Sequence, residues 1–350
     1  MAHTHPVLAR LTRLCRQILQ ALVLLLAGAA AIGAPDADTS KAEAEAQKQA
    51  TDAFWVGDFA EMERLLAVAK QAGGSLDARY HRVRSVRNGF EAVFEGYEDS
   101  NDLYFAEVEA LTLQWAQQNP RSALAHALHA NSLIARGWAY RGGGVAKDVP
   151  PEAWADFKKY IQQAAQYLTV HADVALTEPL SFDYLLTIGR ASSWKPDRSW
   201  TVAKEGLKLD PNFLSLYYRV LTATLPKWQG DTRAVDRFIN DAVAHSKAAR
   251  GTEMYARLYE AAADEHYGHA LFEDSYADWP KMKRGYQDWL KREPTARTHN
   301  AFAYFACLAK DKTTFTEQLD AMNGAKPDLS TWGSNPSRTY ETCKRWGVQG

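Results

Sequence analysis

The sequence predicts an all-α fold, an irregular tetratricopeptide-like array of antiparallel helix hairpins of the α-solenoid type. Apolar residues recur every three to four positions over most of the chain, as they do on one face of a helix. No segment alternates between apolar and polar residues for long enough to indicate a strand. The clearest helical stripe runs through 231–243, where the apolar pairs are Ala234/Val235, Phe238/Ile239 and Ala242/Val243.

Proline and glycine positions divide the chain into helical segments. Four helical runs end at an acidic residue or Asn followed by Pro, and the pairs are Asn119-Pro120, Glu178-Pro179, Asp210-Pro211 and Glu293-Pro294. Proline is favourable in the first turn of a helix, where an N–H has no partner, so each pair is expected to begin a helix. Gly-Asp turns are expected at Gly57-Asp58 and Gly230-Asp231.

The spacing of these pairs indicates a degenerate repeat. Pro179 and Pro211 are 32 residues apart, close to the period of about 34 residues in tetratricopeptide repeats. The other two intervals are 59 and 83 residues, so any repeat is irregular. The alternative is an irregular helical domain in which the proline spacing is coincidental.

The N-terminus has the three parts of a secretory signal peptide. Residues 1–17 contain three arginines and no acidic residue, and the apolar stretch 18–31 is too short to span a bilayer, which takes about 20 residues. Ala29-Ala30-Ala31 supplies the small-residue cleavage step. We expect a signal peptide at 1–31 and a single helical domain at 32–350. An uncleaved N-terminal anchor is the alternative.

Composition excludes several classes of function. The chain of 350 residues has 41 Lys and Arg against 42 Asp and Glu, so we expect no nucleic-acid partner. With 46% hydrophobic and 24% charged residues, it is neither a disordered chain nor a multispanning membrane protein. No stable membrane span is expected after cleavage of the signal peptide, and the predicted location is periplasmic or secreted.

The cysteines agree with export. Cys15 lies in the predicted signal peptide, which leaves Cys307 and Cys343. An even pair in an oxidising compartment permits one disulfide, and Cys307–Cys343 is the predicted bridge. Alternatively, Cys307 is a small core residue and Cys343 is a free thiol.

The most informative stretch is 133–157. Gly142 to Gly144 are expected to end one helix, and Pro150-Pro151 to begin the next. The glycines match neither phosphate-binding loop pattern, and no strand precedes them. Arginines near the helix end can complement its dipole or bind an anionic ligand, and tryptophan and tyrosine serve packing or recognition equally well. The candidate partner-binding residues are Arg136, Trp138, Tyr140, Arg141 and Trp228.

Three motifs, spread over about residues 50–245, carry a family resemblance. They are Trp115-(x)4-Pro120-Arg-Ser122 with Trp138-x-x-Arg141-Gly142-x-Gly144-x-Ala146-x-x-Val149-x-x-Glu152-x-Trp154-x-x-Phe157, then Leu225-Pro226-Lys227-Trp228-x-Gly230, and Phe54-x-x-Gly57-Asp58-Phe59-x-x-Met62-Glu63. Together they resemble bacterial domain-of-unknown-function family 4034. The resemblance implies a helical, tetratricopeptide-like fold and no particular activity.

No motif predicts catalytic residues, a metal or a cofactor. His126/His129 and His266/His269 have the spacing of a shared helix face, but each pair lacks a third ligand. The zinc-protease motif and the serine nucleophile elbow are absent from the sequence. Carboxylate pairs contributed by distant helices stay possible because no sequence spacing reveals them.

We therefore expect an exported helical-repeat binding or scaffold protein, non-catalytic, that recognises a protein or peptide partner in the cell envelope. The alternative is a hydrolase or lyase acting on an envelope polymer, with carboxylates from separate helices. Perturbed carboxylate pKa values in a deep cleft favour the enzyme. An open aromatic groove with ordinary carboxylates favours the binding protein.

Overall fold

The computed structural model describes residues 37–348 except 75, 96–101, 143–145, 229, 323 and 325. Every regular element in this part of the chain is a helix, which confirms the all-α prediction. The predicted signal peptide, 1–31, lies outside the described residues.

The N-terminal part is a series of long helices. They are α1 (Ala37–Trp55), α2 (Phe59–Gln71), α3 (Leu76–Ala92), α4 (Asp102–Gln118) and α5 (Ala123–Arg141). Helix α1 packs along α3, and α4 packs along α5.

The middle part begins with a 3-10 turn at Ala146–Asp148. Its helices are α6 (Pro151–Val170), the one-turn α7 (Ala172–Ala175), α8 (Pro179–Ala191), α9 (Pro196–Leu209) and α10 (Ser215–Thr224). Helix α5 packs against both α6 and α8.

The C-terminal part contains α11 (Thr232–Arg250), α12 (Glu253–Ala262), α13 (Leu271–Asp274), α14 (Trp279–Arg292), α15 (Ala296–Leu308), α16 (Lys312–Ala321) and α17 (Pro336–Val348). A π-helical turn at Ala263–Tyr267 and a 3-10 turn at Gly268–Ala270 separate α12 from α13. A further 3-10 turn at Leu329–Thr331 precedes α17.

The predicted Gly-Asp turn at Gly57-Asp58 is confirmed. Gly57 has a φ of +68°, which an L side chain rarely adopts, and Asp58 accepts a hydrogen bond from the N–H of Glu61 to cap α2. Asp231 caps α11 in the same way, through the N–H of Ala234. Both aspartates therefore begin a helix, a role that was not predicted for them from the sequence.

The expectation that each of the four Asn-Pro, Asp-Pro and Glu-Pro pairs begins a helix is wrong in three cases. Pro179 is the first residue of α8, but the helices after Pro120, Pro211 and Pro294 begin two to four residues further on. Ser122 and Thr295 supply the caps of α5 and α15 instead. A Ser or Thr within two residues of the proline caps the helix in these two cases, so the helix begins after that residue and the proline lies in the loop before it.

Alternate helices form a layer that α3 covers. Helix α8 contacts α10, α10 contacts α12, and α12 contacts α14, so these four helices, here called the inner layer, follow one another side by side. Long polar side chains of α3 reach both ends of this layer. At one end Tyr184 of α8 donates to Glu91, and at the other His81 Nε2 lies 3.4 Å from Glu293, just after α14.

The buried apolar side chains form one cluster from α1 to α17. Its largest members with almost no exposed surface include Trp115, Trp289 and Trp332. Trp332 packs edge-on against Tyr340, which anchors α17 on the body. The aromatic residues that the composition emphasises are in large part packing residues.

The predicted disulfide is present. Cys307 of α15 and Cys343 of α17 are bonded, with their Cα atoms 5.8 Å apart and both residues 4% exposed. The bond closes a loop with a sequence separation of 36 residues. It therefore holds a short C-terminal helix against the core.

We expect Cys343→Ala to lower the free energy of unfolding by about 3–4 kcal/mol, because the open chain recovers the entropy that loop closure removes. Urea unfolding measures the loss, and reduction of the wild-type protein should reproduce it. Equal stability of the oxidised and reduced wild-type protein would contradict this role of the bridge.

Candidate functional site

Three of the predicted residues take part in a stack of alternating aromatic and arginine side chains. The guanidinium carbon of Arg141 lies 5.2 Å from the ring centroid of Trp154 and 5.1 Å from that of Trp138. That of Arg190 lies 5.7 Å from the ring of Trp138 and 5.0 Å from that of Trp228. These five partly exposed side chains are called the aromatic–arginine ladder below.

Helix ends bring the ladder together. Gly142, with a φ of +70°, ends α5 directly after Arg141, and Pro151 begins α6 so that Trp154 lies in its first turn. Arg190 lies in the last turn of α8. Trp228 lies in the turn after α10, where its backbone N–H donates to the carbonyl of Leu225 at 2.9 Å. Residues from four separate segments therefore meet at one surface.

Trp154 and Arg190 are the two members that were not predicted as candidates, and Arg190 is the charged one. Its Nε is buried without a hydrogen-bond partner, and its side chain forms no ion pair with any residue in the described ranges. Burial, followed by the charge of Arg219, lowers the pKa of Arg190 to about 10. The available signal was its position, since Asp183 and Arg190 are the only charged residues of α8.

Arg136 and Tyr140 are engaged within the protein. The guanidinium of Arg136 donates to Asp102 at 2.7 Å and to Glu109 at 2.6 Å, and the hydroxyl of Tyr140 donates to Asp102 at 2.6 Å. The hydrogen bond to Asp102 raises the pKa of Tyr140 to about 12. These contacts tie α5 to α4, so Arg136 and Tyr140 both take part in a helix–helix contact.

The histidine pairs have ordinary hydrogen-bonding roles. His126 bonds to the Tyr167 hydroxyl at 2.8 Å and to the Pro120 carbonyl at 3.1 Å, while His129 bonds to Thr112 at 3.1 Å. Burial lowers the pKa of His129 to about 4. Within the described residues, no group of three or more His, Cys, Asp or Glu side chains could hold a metal ion.

A cavity of about 260 Å³ lies between α3 and the inner layer. Helix α3 contributes most of one wall, and α8, α10 and the connection before α10 contribute the other. Its charged lining residues are Arg79, Arg84, Arg87, Glu91, Glu95, Asp183, Asp210 and Arg219. This cavity is called the α3 cleft below.

Two ion pairs fix the walls of the α3 cleft. Arg87 is 4% exposed and donates to Glu178 at 2.7 Å, which also accepts from Lys70 at 2.5 Å. Arg219 donates to both oxygens of Asp183, at 3.1 and 3.0 Å. Burial alone would raise the pKa of Glu178, but Arg87 and Lys70 hold it below its ordinary value. The carboxylate of Glu178 is therefore ionised at neutral pH.

Glu91 differs from its neighbours because no arginine bonds to it among the residues described. Its carboxyl accepts a hydrogen bond from the Tyr184 hydroxyl at 2.9 Å. Burial, followed by the charge of Asp183, raises the pKa of Glu91 to about 7, although Arg219 and Arg87 act in the opposite direction. The cleft therefore holds one carboxyl group that gains or loses a proton near neutral pH.

Comparison of the chain with protein-family models, curated proteins and solved structures found no match. The resemblance to family 4034 therefore rests on the motif residues alone. In the part of the chain that the structure describes, no helix is long and apolar enough to cross a membrane. The ladder and the α3 cleft have to be interpreted from their own geometry.

We expect the stability of the protein to fall with rising pH because of Glu91. The folded state holds this proton up to a pKa of about 7, whereas the ordinary carboxyl value is 4.5. Stability is thus lost as the pH rises through this interval, by on the order of 2 kcal/mol. Urea unfolding at about pH 5 and about pH 8 measures the change.

Glu91→Gln should remove this part of the pH dependence, since the amide does not titrate. Glu205→Gln is the control, because Glu205 is exposed and pairs with Lys208 far outside the cleft lining. An identical pH dependence in wild type and Glu91→Gln would show that Glu91 is already ionised at low pH.

Proposed function

We propose that this is an exported, non-catalytic helical-repeat protein, periplasmic or secreted, that binds a protein or peptide partner in the cell envelope through the aromatic–arginine ladder. The observation that carries the proposal is Arg190, a cation that forms no ion pair with a described residue and lies between two partly exposed tryptophans. The resemblance to family 4034 is compatible with this proposal but supplies no partner.

The chemistry of the ladder favours an acidic surface on the partner. A guanidinium over a tryptophan face gains roughly 0.5–1 kcal/mol when exposed and about 2 when desolvated. Stacking fixes the orientation of the planar guanidinium, and the N–H groups at its edge stay available for carboxylates. Tryptophan and arginine also dominate the residues that contribute most to protein interfaces. The ladder presents both types in one contiguous surface.

Export is supported by the cross-link and by the N-terminal sequence. The Cys307–Cys343 bond is compatible with an oxidising compartment, since cytosolic thiols are usually kept reduced. The arginines, the apolar stretch and the small residues of 1–31 have the order of a signal peptide. A folded helical array held by a disulfide suits the role of an envelope binding module.

Affinity capture with Arg190→Gln tests the partner-binding role. The variant should lose partners that the wild-type protein captures from envelope extract, at least about tenfold by quantitative mass spectrometry. Its melting temperature should stay the same or rise, because the substitution removes a partly buried charge that has no partner. A structural role would instead lower the melting temperature and leave capture per folded molecule unchanged.

Arg198→Gln is the matched control. Arg198 is exposed and its guanidinium carbon lies 3.8 Å from the ring centroid of Trp194, so it has the same stacking chemistry outside the ladder. The control should capture the same proteins as wild type. If Arg198→Gln and Arg190→Gln lose the same proteins to the same extent, the binding is nonspecific charge attraction and the ladder has no special role.

A second function, cleavage of an envelope polymer, is favoured by one feature of the α3 cleft. Glu91 of α3 and Asp183 of α8 are carboxylates from separate helices that line the same cavity. Glu91 has a pKa of about 7, as a general acid requires, and Asp183 forms an ion pair with Arg219. The cavity therefore combines one proton donor with a second, ion-paired carboxylate.

Turnover of purified envelope polymer tests this second function. Release of soluble fragments should be lost in Glu91→Gln by at least about a hundredfold and retained in Glu205→Gln. If the wild-type protein releases no fragments, or if Glu91→Gln releases them at the wild-type rate, the enzyme hypothesis is wrong and the binding function stands alone.

A further inference from the structure

We propose that the α3 cleft binds a small organic or inorganic oxyanion, whose carboxylate or phosphate oxygens are held by Arg79 and Arg84. This site is separate from the ladder, shares no residue with it, and does not depend on the partner proposed there. It adds a ligand of low molecular weight to a protein whose other surface suits a macromolecule.

The first argument is the pairing rule that buried arginines follow in this protein. Arginines in the interior donate to carboxylates at normal distances, and the carboxylate partners are Glu178 for Arg87, Asp183 for Arg219, Glu253 for Arg250, Glu293 for Arg257 and Glu260 for Arg297. Arg79 and Arg84 are half-buried and line the same cavity as two of these pairs. Neither forms a hydrogen bond or an ion pair with any residue that the structure describes.

The second argument is the cost of leaving such cations unpaired. Half-burial removes part of the hydration of each guanidinium, and no described residue accepts a hydrogen bond from it, so water is its remaining partner. Two guanidiniums offer ten N–H donors in rigid planar forks, which match the oxygens of a carboxylate or phosphate. Asn88, one helical turn after Arg84, lines the same cavity and adds an amide to it. An oxyanion would supply the missing acceptors.

The third argument is that the two other arginines of the cleft already have carboxylate partners. Arg219 pairs with Asp183, and Arg87 pairs with Glu178. Arg79 and Arg84 are therefore the arginines of the lining whose N–H groups are left for a ligand. Because Glu91, Glu95 and Asp210 line the same cavity, the anion would be held by directed N–H donors and not by a net positive charge.

The size of the cavity limits the ligand. At about 260 Å³ it is smaller than the roughly 300–1,000 Å³ that drug-sized ligands occupy. A folded partner cannot enter a cavity of this size, while a phosphate or a short dicarboxylate fits into it whole. The chemistry shared by these ligands is a group of two or three oxygens with a negative charge.

Glu91 makes the site sensitive to pH. It faces Asp183 and Tyr184 of α8, Arg219 of α10, and Arg87 on its own helix. When Glu91 is protonated, one negative charge leaves the wall of the cavity, so an anion binds more tightly at about pH 6 than at about pH 8. The titration modulates the site, and the two unpaired arginines create it.

Isothermal titration calorimetry with inorganic phosphate and, separately, succinate tests the site on the purified protein. We expect at least one probe to bind wild type, and Arg79→Gln/Arg84→Gln to weaken it by about tenfold or more. Arg237→Gln/Arg284→Gln is the matched control, because it removes the same charge from exposed positions outside the cleft lining. Its affinity should equal that of wild type.

The two probes identify the class of ligand, and the comparison of affinities at about pH 6 and about pH 8 locates it relative to Glu91. Binding of phosphate alone identifies a phosphate ligand, and binding of succinate alone identifies a carboxylate. Tighter binding at about pH 6 that disappears in Glu91→Gln supports the position of the anion beside that carboxyl. Arg141→Gln in the ladder should leave the affinity unchanged, which keeps this test independent of the partner-binding proposal.

Two results would overturn the proposal. One is that neither probe binds the wild-type protein at concentrations up to about 10 mM. The other is equal affinity of the wild type and Arg79→Gln/Arg84→Gln. Because these arginines have no partners to lose, the variant should melt at or above the wild-type temperature. If the double variant does not fold, Arg79→Gln and Arg84→Gln are measured singly, and each should weaken binding by about threefold.

Discussion

The carboxylate of Glu178 joins three helices that are distant in sequence. It caps α8 by accepting from the N–H of Leu180, and it pairs with Lys70 of α2 and with Arg87 of α3. Arg87 and Glu178 are 4% and 5% exposed, so neither can be rehydrated while the helices stay in place. Breaking a buried pair by removing one partner costs about 3–5 kcal/mol, since it leaves an uncompensated charge. This contact therefore joins α3 to the first helix of the inner layer, at the α3 cleft, which Arg87 also lines.

The same constraint operates at the other end of the inner layer. Glu253 has no exposed surface and pairs with Arg250 and Arg257, and Arg257 also donates to Glu293 at 2.9 Å. Such pairs need not increase stability over apolar packing, but they accept few alternative arrangements because every partner must be matched. The interior of this array is thus specified by charge as well as by shape. Against that background, an arginine without a carboxylate partner is an exception that requires its own explanation.

The local features of the fold could be predicted from the sequence, and its long-range charge pairs could not. Apolar periodicity predicted the helices, Gly57-Asp58 predicted a turn, and two remaining cysteines predicted the bridge, because each signal involves few residues and few alternatives. Pro211 shows the limit of such rules, since α10 begins four residues after it. Arg190 and Glu91 gain their properties from segments that are far away in the chain. Trp138 and Trp228 were predicted as separate candidates, but only the fold shows that Arg190 lies between them.

Helix α8 connects the two proposed sites. Glu178 at its start fixes α3, Asp183 one turn later lies in the wall of the α3 cleft, and Arg190 in its last turn belongs to the ladder. Asp183 and Arg190 are seven residues apart, so they project from the same face of the helix. Their charges influence each other, since Arg219 and Asp183 both affect the pKa of Arg190. The rest of α8 is almost entirely buried and apolar, so the helix cannot turn to adjust one charge without moving the others. The positions of the cleft and the ladder are therefore set together, by the packing of one short helix.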